Sequence, residues 1–156
     1  KLYSKRLKVI RYFEKSAGND FEFYGRGWDA SSYRNFKGEI ASKHEILKRY
    51  RFSFCYENIT HVKGYITEKI FDCFSAGCVP IYLGATNVKE YIPQNCFICP
   101  DDFPSMDALV SYLKSMEEAE YNQYLENIRI FLKSDKAKKF TAQSFADSIF
   151  SAINTE

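Results

Sequence analysis

Three residues at one joint of the sequence have the types and spacing to hold an anionic ligand. They are Asn58, Glu68 and Lys69, in "ENITHVKGYITEKIFDCFSAG", residues 57–77. A helix reading begins near Tyr65, and the first backbone N–H groups of a helix have no partner within it. Its N-terminus therefore carries partial positive charge and takes an anion readily. Lys69 falls in the first turns of that helix, on the face opposite its apolar stripe and beside Glu68 and Asp72. The helix dipole disfavours a cation at that end, so a bound phosphate accounts for Lys69 better than helix stability does. Glu68 is a group suited to accept hydrogen bonds from vicinal hydroxyls. Spacing alone also fits a second account, in which Glu68 complements the helix N-terminus, Lys69 is solvated and Asn58 turns the chain.

The elements around the joint set where such a site would lie. "FSFCY", residues 52–56, reads as a strand. From Tyr65 to Ala76 the apolar positions Ile66, Ile70, Cys73 and Phe74 form a helical stripe that Gly77 stops. "VPIYLG", residues 79–84, is a nearly continuous apolar strand of the kind found in parallel sheets covered on both faces. Upstream, Leu7, Ile10 and Phe13 recur at helical spacing from Tyr3 until "AGND", residues 17–20, ends the pattern. "FEFY", 21–24, reads as a short strand, followed by a long loop and a helix from Ser42 to Tyr50 capped by Ser42. Downstream, a helical turn at Val88–Tyr91, a strand at 96–99 and helical patterns near 105–117, 119–133 and 140–153 complete the chain. Asp101 and Asp102 read as the end of that strand and a cap for the next turn.

Alternating strands and helices predict an α/β domain with right-handed crossovers and a parallel sheet, whose ligands bind at the carboxyl ends of the strands. No G-x-G-x-x-G phosphate fingerprint is present. A doubly wound domain normally opens on a strand that becomes central, whereas this sequence opens on a helical pattern. The expectation is a domain truncated at its N-terminus.

Composition narrows the partners. The 156 residues suit one domain, and 46% apolar with 27% charged residues is globular in character. With 14 Phe and 12 Tyr the core should be built from large rings. A net charge of +2, spread without a basic block beyond "KAKK" at 136–139, argues against nucleic acid as a partner. No apolar run is long enough to form a transmembrane segment. The five cysteines, at 55, 73, 78, 96 and 99, lie in apolar stretches and read as buried small hydrophobes in a reducing compartment. Cys96 and Cys99 form a C-x-x-C, but His44 and His61 stand at no ligand spacing to them, so a zinc site is not expected.

"FCYEN" at 54–58 followed by "GYITEKIFDCFSAGCVPIYLG" at 64–84 resembles the signature of the α-1,3/1,4-fucosyltransferases, family 10 of the glycosyltransferases. "YSKR", "YG", "KHEILKRYRF" and "YIPQNCFI" extend the likeness more loosely. The resemblance implies a Rossmann-like parallel sheet with flanking helices, the C-terminal half of a GT-B enzyme whose missing N-terminal domain takes the glycan acceptor. It implies that Arg6, with Arg11 as the alternative, and Lys69 hold the diphosphate of GDP-fucose. Tyr65 and Glu68 would contact ribose or fucose hydroxyls, Asn58 would line the pocket, and Thr67 would cap or orient the helix start. The implied reaction inverts the anomeric centre by direct displacement, onto an acceptor such as N-acetylglucosamine. It requires no metal cofactor and draws its base from the acceptor domain, so Glu57, Asp101 and Asp102 are not nominated as base. The sequon Asn58-Ile59-Thr60 then reads as coincidence, since a glycan there would block the crevice. The expected location is cytoplasmic, with possible membrane association, in a bacterium; the alternative is the Golgi lumen. Two other readings share these residues: a non-catalytic nucleotide-binding or interaction module, and a GT-B transferase using another nucleotide sugar.

Overall fold

A computed structural model of the chain describes residues 2–16 and 20–154. It contains helix α1 (Leu2–Ser16), α2 (Lys43–Leu47), strand β1 (Phe52–Tyr56), α3 (Glu68–Ala76), β2 (Val79–Leu83) and α4 (Val88–Tyr91). Four more helices follow: α5 (Met106–Ser115), α6 (Glu118–Leu132), α7 (Asp135–Lys138) and α8 (Ala142–Asn154). Residues 17–19 of the expected helix stop lie outside the described residues.

β1 and β2 pair in parallel with Phe52 opposite Val79 and Tyr56 opposite Leu83. α3 connects them as the crossover, and every residue of β2 is buried. The α3 stripe buries Ile70, Cys73 and Phe74, each large apolar chain stabilising by roughly 1.5–3 kcal/mol. Gly77 ends the helix in the left-handed conformation, at φ 71°, while its N–H bonds back to the Phe74 carbonyl. Ser42 caps α2 by accepting from the Glu45 N–H, as its position predicts.

Two expected strands shrink to single bridges. Phe23 pairs with Phe36, and Ile98 pairs with Ile81, without further ladder on either side. At the second place a 3-10 turn, Gln94–Cys96, takes up the residues that would have continued the strand. Asp101 and Asp102 sit in another 3-10 turn, and Ser105 rather than either aspartate caps α5 by accepting from the Ala108 N–H. The last helical patterns resolve into two roles. α6 buries Tyr121, Ile128 and Phe131 against the main core, whereas Phe145, Ile149, Phe150 and Ile153 of α8 are exposed, so α8 does not cover the sheet.

The main core lies between β1, β2, α3 and α6, and includes four of the five cysteines, Cys55, Cys73, Cys78 and Cys96. A hydrogen bond to Cys73 and burial both push the Cys55 thiol up. None of the five forms a disulfide. A smaller core joins Val9 and Phe13 of α1 to Tyr56 and Leu83. Phe54 and Tyr56 thus face α1 and Cys55 faces α3, the alternation that a strand between two helical layers requires.

Candidate functional site

The joint is organised by a residue that spacing arguments passed over. The Glu57 N–H donates to the Leu83 carbonyl at 2.9 Å, extending the β1–β2 ladder by one step. Sharing the parity of Cys55, its side chain turns inward and is fully buried. A buried carboxylate is costly unless every oxygen is occupied. Here Oε1 accepts from the Thr67 N–H at 2.8 Å, and Oε2 accepts from Thr67 Oγ1 at 2.7 Å and from Lys69 Nζ at 3.0 Å. Gly84, opposite Glu57 across the ladder, makes room: a Cβ there would stand 2.6 Å from Glu57 Cγ and press against the Tyr82 hydroxyl as well. The sequence signal was available. A glutamate in register with buried strand residues, facing a glycine, marks an inward polar group.

Lys69 is consequently not a solvated face residue. Its ammonium donates to Glu57 and, at 2.7 Å, to Thr67 Oγ1, which commits two of its three N–H bonds. Burial alone would lower its pKa, but the hydrogen bond and charge of Glu57 override that and hold it above the ordinary lysine value. Glu68 lies 3.6 Å from the ammonium with its side chain 70% exposed. Its own backbone N–H, and then Lys69, keep its carboxyl below the usual range.

α3 begins at Glu68, three residues later than the periodicity suggests, because Thr67 is drawn to Glu57 and remains extended at φ −106° and ψ −176°. Thr67 orients the helix start by that contact and makes no side-chain capping bond to α3. Tyr65 therefore precedes the helix, half-buried, with its carbonyl accepting weakly from the Tyr82 hydroxyl. Gly64, at φ 73°, turns the preceding loop, and its N–H donates to Asn87 Oδ1 at 2.8 Å. That bond ties the loop after β1 to the loop after β2.

Arg6 reaches the same end of β1 from the second turn of α1. One guanidinium nitrogen donates to the Tyr56 carbonyl and, at 2.9 Å, to Asn58 Oδ1. A guanidinium has five N–H donors, so capacity remains for a ligand. Arg11, one helical turn and more further on, is exposed. The geometry thus pairs Arg6 with Asn58 and Lys69 with Glu68, and fixes the two cations to consecutive residues, Asn58 and Glu57. Among the described residues no cluster of three or more His, Cys, Asp or Glu could hold a metal ion, and no helix is long and apolar enough to cross a membrane.

The parallel α/β unit gathers charged residues in the loops at the carboxyl ends of its strands, as the Rossmann-like half of a GT-B glycosyltransferase does. Residues 1–149 match the family described as glycosyltransferase family 10 (fucosyltransferase), C-terminal part, and the chain belongs to that family. It is 35% identical over 96 residues to an α-(1,3)-fucosyltransferase of Helicobacter pylori, covering 61% of this chain and 20% of that protein. It is 43% identical over 119 residues to α-(1,3)-fucosyltransferase 4 of Bos taurus, covering 74% and 28%. A crystal structure of an α1,3-fucosyltransferase with GDP superposes at a TM-score of 0.53 with 33% identity, over 60% of this chain and 28% of that one. A second, with GDP-fucose, has a TM-score of 0.54 over 86% and 54% of the two chains, and at 19% identity it speaks for the fold alone. The chain spans about a fifth to three tenths of the length of these curated relatives.

Proposed function

We propose that this chain is the donor-binding domain of a fucosyltransferase and takes GDP-fucose at the carboxyl ends of β1 and β2. The observation that carries the proposal is the tethering of Arg6 and Lys69 to consecutive residues at the end of β1, where α3 also begins. Both cations are held by acceptors before any ligand arrives, so little side-chain entropy is lost on binding. Arg6 and Lys69 would hold the diphosphate, Tyr65 and Glu68 would meet the ribose or fucose hydroxyls, and Asn58 would line the pocket. Charge grows on the diphosphate as the fucosyl bond breaks, and fixed cations stabilise it more in the transition state than in the ground state. The reaction we assign to the whole protein is inverting transfer to a glycan hydroxyl, with the base and the acceptor site in another domain. This chain alone would bind donor without transferring it.

Calorimetric titration of the chain with GDP, UDP and ADP tests the reading, first without added metal and then with it. GDP should bind saturably without metal and at least about tenfold more tightly than UDP or ADP, and Arg6→Ala should weaken GDP by about 1–3 kcal/mol. Equal binding of the three nucleotides, or an Arg6→Ala affinity unchanged, would overturn the site.

A further inference from the structure

Lys69 is held in a closed ring of hydrogen bonds. Its ammonium donates to Glu57 Oε2 at 3.0 Å and to Thr67 Oγ1 at 2.7 Å. The Thr67 hydroxyl in turn donates its single proton to the same Oε2, at 2.7 Å. One nitrogen and two oxygens thus close on one another. The hydroxyl completes the ring in one orientation only, with its proton toward Glu57 and a lone pair toward Lys69.

The ring is anchored to the backbone on both sides. Thr67 N–H donates to Glu57 Oε1 at 2.8 Å, and Glu57 N–H belongs to the β1–β2 ladder. Glu57 is fully buried, so water does not replace these partners. Neither of the simpler tasks of these residues needs such a ring. Thr67 makes no capping bond to α3, and the Lys69–Glu57 ion pair would exist without a third member. What the third member adds is direction. Against one carboxylate oxygen an ammonium can swing, whereas two acceptors on fixed backbone set its third N–H as well. The Lys69 side chain is 20% exposed, and that third N–H is the donor left to meet the opening.

We propose that Thr67 and Glu57 are positioning residues for the donor, which together aim the third N–H of Lys69 at the diphosphate. This rests on the GDP-fucose reading of the joint and adds two residues that act on the ligand through Lys69. Displacing a binding group by even 1 Å is expensive, which is the reason to fix it before the ligand arrives. Arg6 is held differently, by the Tyr56 carbonyl and Asn58 Oδ1, and a guanidinium keeps its charge at any working pH. Lys69 does not have that immunity. Burial works against its charged form, and Glu57, by hydrogen bond and by charge, then Glu68 and Tyr65, work for it. From α2, Lys43 faces the same helix but is paired with Asp72 at 2.8 Å. On β1 the Cys55 thiol is pushed up by its bond to Cys73 and by burial, and stays neutral. The carboxylate of Glu57 is thus the main counterweight to burial.

Calorimetric titration of the whole chain with GDP tests the proposal. Thr67→Val keeps the shape of the side chain without the hydroxyl and should weaken GDP about tenfold, whereas Thr67→Ser should bind within about twofold of the wild type. Glu57→Gln keeps an acceptor for the Thr67 N–H but removes the charge, so Lys69 should lose its proton at a lower pH. Its affinity relative to the wild type should fall about a further tenfold from pH 7 to pH 9, a ratio in which the titration of GDP itself cancels. A residue that merely held the start of α3 would lower affinity equally at both pH values. Unchanged affinity in Thr67→Val, or a Glu57→Gln ratio equal at pH 7 and pH 9, would overturn the proposal, and the donor site would stand as long as the wild type binds GDP. A wild-type chain that does not bind GDP would overturn both. Where one variant loses the circular dichroism of the wild type, the other decides.

Discussion

At its carboxyl end β1 runs into a buried carboxylate on which both oxygens are occupied; along its free edge the same strand turns a row of peptide groups toward an apolar cavity. Both regions put polar groups inside, where an unmade hydrogen bond costs about 1–3 kcal/mol. The joint solves this within the chain, through Thr67 and Lys69, and so its geometry is fixed without a partner. Along the edge, among the described residues, only Arg6 reaches that row, at the Tyr56 carbonyl. The contrast separates a preorganised site from a strand edge whose peptide groups face an apolar cavity, although one strand serves both.

The largest expected effect is at the joint. Lys69→Met removes the cation while Glu57 stays fully buried, and an uncompensated buried carboxylate costs about 3–5 kcal/mol. Urea unfolding should show that loss, and Glu57→Gln combined with Lys69→Met should recover much of it, because the amide needs no counter-charge. The coupling between the two positions should exceed about 1 kcal/mol. Strict additivity would mean that the joint is not the self-sufficient half of the comparison. Gly84→Ala comes next. The added methyl meets Glu57 and Tyr82 in packed surroundings, and overpacking there should cost about 1–3 kcal/mol, with a matching loss of GDP affinity as Glu57 shifts Lys69. A neutral Gly84→Ala would show that Glu57 has more room than the packing implies.

How much of this was legible depends on where each feature's cause lies. The β1–α3–β2 unit was readable because its determinants are local: a strand run, a periodic stripe, and Gly77 as a stop. Arg6 and Lys69 were singled out by likeness as holders of a diphosphate; what the structure adds is that each is held by an acceptor, Asn58 and Glu57. The start of α3 was misjudged because Thr67 answers to Glu57, ten residues away, and not to helix periodicity. The strands at 21–24 and 96–99 were overestimated for another reason. A strand is made by its neighbours as much as by its own sequence: Phe23 has a partner on one side, at Phe36, and the cavity on the other. α8 carries a good apolar stripe, but periodicity states that a face is apolar, not that this chain covers it.

The smallest effect belongs to the cavity wall and separates the two regions by pH. Glu22 accepts from the Tyr50 hydroxyl and, at 2.7 Å, from Tyr24, joining the Phe21–Tyr24 segment to the end of α2. The Tyr50 and Tyr24 hydroxyls, with Lys37, hold its carboxyl below the ordinary glutamate value. A depressed carboxyl contributes stability that is fully present above the unfolded value of about 4.3 and is lost as pH falls through the folded one. Lys69 has the opposite sign: raised by Glu57, it contributes below the ordinary lysine value of about 10.4 and is lost only as pH climbs through its folded value. Acid should therefore loosen the cavity wall and alkali the joint. Between pH 6 and pH 3 amide exchange at Phe23, corrected for intrinsic rates, should accelerate by the equivalent of under about 1 kcal/mol, the usual range for a partly exposed charged contact. Tyr50→Phe should abolish most of that acceleration. An acid response of the same size in Tyr50→Phe would place the titrating group elsewhere and leave the wall held by its ring contacts, the Phe13–Phe21 stack at 4.5 Å first among them.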